Sequence, residues 1–151
     1  MNRLARTGLT EILIMLVGTF AFAPSIRAGQ GTVPPTGMKV ASKRTNDLVL
    51  TITSVDGSLK GGENSFCAVF QKKGTEEPVY VKNVSVDFTW LVGRNQGKLI
   101  RSRLTEDQAG RYCGQVNLVK QNYIPASYYA FVHYMDESGK KKKQRFFLSV
   151  K

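Results

Sequence analysis

Val84-Ser85-Val86-Asp87-Phe88-Thr89-Trp90 is the stretch of this sequence that indicates the fold most clearly. Its apolar side chains occupy every second position and alternate with polar ones. Successive side chains of a β-strand point to opposite faces, so this period of two predicts a strand with one buried and one solvated face. A helix would instead repeat its apolar residues every three or four positions.

The same alternation continues on both sides of this segment. Short turn sequences such as Asp56-Gly57 and the run from Gly93 to Gly97 separate the strand-like stretches. Six further strands are predicted, over about 48–53, 64–71, 98–104, 111–119, 127–135 and 145–150. Seven short strands predict an all-β chain with an immunoglobulin-like seven-stranded antiparallel β-sandwich, and a small closed barrel is the alternative.

The order of strands in such a sandwich is also predictable. We expect the first, second, fifth and fourth predicted strands in one sheet, and the third, sixth and seventh in the other.

Composition limits the function classes. The 151 residues include 22 Lys and Arg against 11 Asp and Glu, which gives a net charge of +11. A single histidine and two cysteines provide no zinc-finger spacing, and no phosphate-loop, dinucleotide or nucleophile-elbow motif occurs. These features predict a non-enzymatic binding domain.

The amino-terminal residues predict export. Arg3 and Arg6 precede an apolar run from Ile12 to Ala23, and Ala28 ends a suitable cleavage sequence. We therefore expect a signal peptide over 1–28 and a periplasmic or secreted protein; an uncleaved anchor is the alternative. Residues 29–46, rich in Gly, Pro and Lys, predict a flexible leader before a domain over 47–151.

Cys67 and Cys113 lie in the second and fifth predicted strands, and both alternate with inward-facing apolar residues. Two cysteines in an exported chain are normally paired. Because both thiols fall on outward faces of neighbouring strands, we expect a cross-strand disulfide on the solvent side of the sheet. A redox or copper-thiolate pair is the functional alternative.

Several short motifs resemble those of the FixH/YtkA-like family of exported domains. They are Gly62-Glu-Asn64-Ser-Phe66, Glu77-Pro78-Val79 with Val84-Ser-Val86, Leu104 through Gly110-Arg-Tyr112, and Phe147-Leu148-Ser-Val150. The resemblance covers about residues 48–150. It implies an immunoglobulin-like accessory domain, and some members of the family are linked to copper handling or oxidase assembly. Residues 90–97, where the family carries methionines, contain neither methionine nor histidine here.

His133 and Met135 are the candidate metal ligands. They lie two positions apart on the sixth predicted strand and therefore share a face. Imidazole and thioether donors suit copper, particularly Cu(I). We expect no cofactor. The alternative is a periplasmic copper-handling or oxidase-assembly protein that uses His133 and Met135.

The candidate partner-binding residues lie on the last two predicted strands. Aromatic residues Tyr129, Phe131 and Phe147 form an exposed patch if Tyr128 and its alternates face inward, but both sides of this strand are apolar and the opposite facing stays open. The basic residues are Lys140, Lys141, Lys142, Lys143 and Arg145, with Arg94, Lys98, Arg101 and Arg103 extending the basic surface.

Clustered cations at a hairpin attract polyanions. We expect an envelope protein or an anionic surface as partner, with peripheral membrane contact as one form of it. Export argues against nucleic acid, and the oligomeric state is not indicated by the sequence.

Overall fold

The structure is a computed structural model that describes residues 37–92, 95–119 and 126–151. All regular secondary structure within these residues is β-strand. The strands are β1 (Met38–Arg44), β2 (Leu48–Ser54), β3 (Gly62–Lys72), β4 (Lys82–Val92), β5 (Asn95–Gln96), β6 (Ile100–Arg103), β7 (Thr105–Gln108), β8 (Arg111–Leu118), β9 (Ala126–Met135) and β10 (Lys141–Val150). The predicted signal peptide and Arg94 lie outside the described residues.

Two antiparallel sheets form a β-sandwich, which confirms the predicted fold class. The first sheet has the strand order β1-β2-β3-β8-β7, and the second has the order β10-β9-β4-β5, with β6 also paired to β4. Strands β2, β3, β8 and β7 take the A-B-E-D order of an immunoglobulin-like sheet, and β4, β9 and β10 take the C-F-G order.

The segment predicted as the fourth strand, 98–104, does not belong to the first sheet. Its ordered part is β6, which pairs with β4 in the second sheet, and the chain then crosses to the first sheet as β7. This prediction was wrong because the alternation within 98–104 does not reveal that the chain changes sheets at Leu104. The described part of the chain therefore has ten strands instead of seven.

Gly114 of β8 makes this crossing sterically feasible. A Cβ at this position would lie 2.6 Å from Leu104 Cδ2 and 2.8 Å from the Arg103 carbonyl oxygen. The Ser102 hydroxyl, on the inner side of β6, donates a 2.7 Å hydrogen bond to the Gln115 carbonyl. A side chain at Gly114 would therefore occupy the space through which the chain passes between the sheets.

The flexible leader predicted over 29–46 extends too far. Its residues Met38–Arg44 form β1, which pairs antiparallel with β2 through a register that includes Ser42 opposite Thr51. The two hydroxyls of that pair lie 3.0 Å apart. Backbone pairing to an available sheet edge has little sequence signature, which explains why the composition indicated a linker.

The core lies between the inner faces of the two sheets. Phe66 of β3 meets Phe88 of β4 edge to face, with ring centroids 5.3 Å apart, and Phe70 meets Tyr134 of β9 at 5.0 Å. Such edge-to-face pairs add to the free energy gained from burying the rings. The Tyr112 hydroxyl crosses the sandwich, donates to the Val81 carbonyl at 2.7 Å and accepts from the Val81 amide at 3.0 Å.

Cys67 and Cys113 form a disulfide between directly opposed residues of β3 and β8. The predicted pairing and its place on the outer side of the sheet are confirmed. The predicted solvent exposure is wrong, because the two residues are only 3% and 4% exposed. The Arg111 guanidinium lies 3.5 Å from Cys67 Sγ and pairs with Asp107 at 3.6 Å, and it thereby covers the bridge.

None of the described residues, 37–92, 95–119 and 126–151, belongs to a helix of the length and hydrophobicity that crossing a bilayer requires.

Candidate functional site

The outer face of the second sheet contains most of the predicted site residues. The side chains of β9 alternate between the core and this face. Tyr128, Ala130, Val132 and Tyr134 are buried in the core. Tyr129, Phe131, His133 and Met135 are only partly buried and point away from the core. The structure thus settles the facing that the sequence left open.

We call this surface the cationic face. It comprises side chains of four neighbouring strands that the strand register places on one side. They are Arg101 and Arg103 of β6, Asp87 of β4, Tyr129, Phe131 and His133 of β9, and Lys141, Lys143, Arg145 and Phe147 of β10.

The aromatic rings of the cationic face form one cluster. Tyr129 lies 5.6 Å from Phe147 and 6.2 Å from Phe131 between ring centroids. Phe147, at 60% exposure, is the most solvent-accessible of the three rings. The predicted aromatic patch is therefore brought together by the fold, because Phe147 is directly opposite Tyr129 in the β9–β10 register.

Cationic side chains of β10 lie over two of these rings. Lys143 Nζ is 4.2 Å from the centroid of Phe131, and the Arg145 guanidinium carbon is 5.3 Å from that of Tyr129. These are cation–π distances, at which the charge is attracted to the electron-rich face of the ring. The contacts hold each cation in place on the surface.

The lysine run is divided by the strand. Lys141 and Lys143 point outward with Arg145, whereas Lys142 alternates to the other side and pairs with Asp136 at 3.6 Å. Lys140 belongs to the hairpin turn, where its amide donates to Asp136 Oδ1 at 2.9 Å. The predicted cluster at the hairpin tip is thus a line of three cations along β10 with two lysines beside it.

Asp87 is a residue of this face that the sequence reasoning did not select. Its side chain is 6% exposed and accepts two hydrogen bonds from Arg101, at 2.6 Å from Nε and 2.8 Å from Nη2. From the neighbouring strand β9, His133 Nε2 lies 3.2 Å from Asp87 Oδ2. The one available signal was a carboxylate in the middle of an alternating strand, since its partners are far away in sequence.

The surroundings of Asp87 favour its charged form. The hydrogen bonds from Arg101 lower the pKa of the Asp87 carboxyl below its ordinary value of 3.8, burial opposes this shift, and the charges of Arg101 and His133 add to it. The same pair raises the pKa of Arg101. Asp87 is therefore an ionised group of the inner strand β4 that orders Arg101 of the neighbouring strand β6.

The charge of the cationic face is strongly unbalanced. Its defining residues include five Lys or Arg side chains and one carboxylate, Asp87, which is already paired to Arg101. Such a concentration of one sign raises the local potential and attracts anions.

The candidate metal ligands share this surface. His133 Nε2 faces the Asp87 carboxylate, and Met135 lies opposite Lys82 and Lys141 on the neighbouring strands. Among the residues that the structure describes, no group of three or more His, Cys, Asp or Glu side chains could hold a metal ion. A copper ion at His133 would have to use the other ring nitrogen or displace Asp87.

A separate groove of 710 Å³ lies beside the β9–β10 hairpin, between it and the β1–β2 turn. Its charged lining comprises four carboxylates, Asp47, Glu77, Asp136 and Glu137, against the two lysines Lys72 and Lys142. Lys72 and Lys142 each pair with a carboxylate of the groove, Glu77 and Asp136. The groove thus has an excess of carboxylates and, among the described residues of its lining, offers no unpaired lysine to an anion.

Comparison with known proteins supports the fold. No family model and no curated protein matches the chain. A crystal structure of a DUF4426 family protein from Pseudomonas aeruginosa is similar, with a TM-score of 0.52 and 15% sequence identity, over 73% of this chain and 96% of that chain. At this identity the similarity shows a common β-rich fold, and it carries no statement about activity.

Proposed function

We propose that this protein is an exported, non-enzymatic binding domain that attaches to an anionic partner at the cell envelope through the cationic face. The observation that carries the proposal is the arrangement of Lys141, Lys143 and Arg145 in one line beside the exposed ring of Phe147. Export is proposed from the amino-terminal sequence, and an accessory role agrees with the resemblance to FixH/YtkA-like domains.

The surface chemistry supports binding to an anion more than a role in solubility alone. Lysines on an edge strand commonly prevent sheets from pairing with other chains, and this purpose alone would need no aromatic residues. Here Lys143 and Arg145 lie over Phe131 and Tyr129, so that charge and ring surface are presented together. Aromatic residues and arginine are the side chains enriched at binding interfaces.

The test compares two double variants of equal charge on immobilised heparin, used as a general polyanion. Lys143→Ala with Arg145→Ala removes one lysine and one arginine from the cationic face, and Lys43→Ala with Arg44→Ala removes the same pair from the exposed β1 strand. We expect the first variant to elute at clearly lower salt than the second, because local charge density determines retention. Equal elution of both variants would refute the proposal.

The copper alternative is a second proposal, with His133 and Met135 as ligands. The resemblance to FixH/YtkA-like domains suggests it, whereas two features oppose it: residues 90–97 contain neither methionine nor histidine, and His133 Nε2 is buried 3.2 Å from Asp87 Oδ2. Titration with Cu(I) under reducing conditions decides the matter. Stoichiometric binding that His133→Ala abolishes would establish a copper site, and its absence would dismiss one.

A further inference from the structure

The geometry of the cationic face also specifies the kind of anion that it fits. We propose that it binds a linear polysaccharide bearing carboxylate groups. This inference rests on the proposed function and adds the chemical class of the ligand.

The cations lie in two lines, with part of the sheet surface between them. Lys141, Lys143 and Arg145 follow β10, and Arg103 and Arg101 follow β6, where Arg101 is already paired to Asp87. Alternate residues of a strand are roughly 7 Å apart, and three steps between neighbouring strands separate the lines by roughly 14 Å. The surface between the lines is formed by β4 and β9. Since Lys141 to Arg145 also spans roughly 14 Å, this surface is about as long as it is wide and is larger than a site for a single small anion.

The exposed ring of Phe147 is the feature that indicates a sugar. It is held against Tyr129 at 5.6 Å, and Arg145 lies two residues away on the same side of β10. A pyranose can stack its C–H face on an aromatic ring, and a carboxylate on that pyranose would then reach the guanidinium. Polyglutamate offers carboxylates without any ring, so it would leave Phe147 uncovered.

A lipid bilayer fits this surface less well. Insertion into a membrane requires apolar side chains to be outermost, with cations behind them at the headgroups. Here Lys143 lies over Phe131 and Arg145 lies over Tyr129. Two of the three rings are thus covered by a cationic side chain. That side chain would have to move away before the ring could contact hydrocarbon.

A second copy of the chain is also disfavoured on this surface. Strand β10 is at the edge of its sheet, where an identical strand could pair. Two copies of β10 would bring Lys141, Lys143 and Arg145 of each chain close together, and like charges on opposed strands repel.

The experiment uses the protein purified from its natural host. Titration calorimetry measures its binding to three probes. The probes are galacturonate oligomers, polyglutamate of matched charge, and vesicles of phosphatidylcholine with phosphatidylglycerol. Phe147→Thr is the informative variant, because threonine suits an edge strand and leaves every charge in place. Ser149→Thr, two residues along the same side of β10, is the matched control.

We expect the galacturonate oligomers to bind most tightly. Phe147→Thr should weaken their binding by roughly tenfold, which is the size of a single good ring contact, and should change polyglutamate binding by less than about twofold. Ser149→Thr should bind as the parent does. Circular dichroism of each variant confirms that the fold is retained.

Three other results would overturn the inference. Equal binding of galacturonate oligomers and polyglutamate, unaffected by Phe147→Thr, would refute the sugar and leave the proposed anionic partner in place. Preferred binding to the vesicles would identify a membrane surface instead. Binding to none of the probes, together with equal heparin elution of the two double variants, would refute the inference and the proposed function alike.

Discussion

At the scale of single residues, Asp87 shows how one buried carboxylate organises a charged surface. It lies on the outer side of β4 and is nearly inaccessible because Arg101 from β6 and His133 from β9 close over it. A carboxylate in this position would be costly to bury without a partner. The two hydrogen bonds from Arg101 offset that cost and fix the guanidinium on the sheet.

Asp87→Asn tests this role through pH. The folded-state pKa of Asp87 is below 3.8, so its ionised form stabilises the protein at pH values above the unfolded-state pKa, and the contribution is lost as the pH falls through the folded-state pKa. We expect the variant to be less stable by about 1 kcal/mol near neutral pH, which is less than for a fully buried hydrogen bond to a charged group because Arg101 is exposed to screening solvent.

The measurement is urea unfolding of both proteins from acid to neutral pH. The stability difference should be constant above about pH 5 and should shrink below about pH 4, where Asp87 of the unfolded chain is protonated while that of the folded parent is still ionised. A difference that is independent of pH down to the acid limit would show that the charge of Asp87 does not stabilise the fold.

Residue-scale features differ in how far the sequence predicts them. The alternation around Cys67 and Cys113 correctly placed both on the outer side of neighbouring strands. Their burial was not predictable, because it depends on Arg111 lying across the bridge toward Asp107. Asp87 was missed for a similar reason: the partner that explains it, Arg101, is 14 positions away in sequence.

At the scale of secondary-structure elements, the sequence did not indicate the change of sheet between β6 and β7, just as it did not indicate β1. An alternating pattern establishes that a strand exists, and it does not say which edge the strand joins. The position of β6 beside β4 depends on the close approach of Leu104 to Gly114 of β8. By contrast, β4 and β8 were predicted well, since each carries an uninterrupted period of two.

Gly114→Val tests whether this crossing depends on the absence of a side chain. The valine would overlap Leu104 and the Arg103 carbonyl, so we expect a destabilisation of about 1–3 kcal/mol. Gln115→Val, at the adjacent exposed position of the same strand, is the control and should change stability by less than about 0.5 kcal/mol. Thermal unfolding followed by circular dichroism measures both. Equal effects of the two substitutions would argue against a packing requirement at Gly114.

At the scale of the whole molecule, the two sheets present different chemistry to the solvent. The outer side of the first sheet contains the disulfide, buried beneath Arg111 and Asp107. The outer side of the second sheet carries the aromatic cluster and the two lines of cations. The net charge of +11 indicated a basic protein, and only the strand register shows that one face concentrates that charge.

The orientation of β9 determines which of its aromatic residues enter the core and which lie on the cationic face. Its two sides are both apolar, so the sequence alone allowed either to be buried. The core accepts Tyr128 and Tyr134 because Tyr128 donates a hydrogen bond to the Val119 carbonyl and Tyr134 packs against Phe70. Tyr129 and Phe131 are consequently left on the cationic face, where they become part of the proposed site.

The outer face of the second sheet is, in our proposal, where an anionic partner binds. Chemical-shift mapping of the isotope-labelled protein during titration with a heparin oligosaccharide tests this claim most directly. We predict that the shifted amides concentrate in β6, β9 and β10, around Arg101, Tyr129 and Arg145, and that they return at high salt. Shifts confined to the first sheet, or spread evenly over both, would contradict the account.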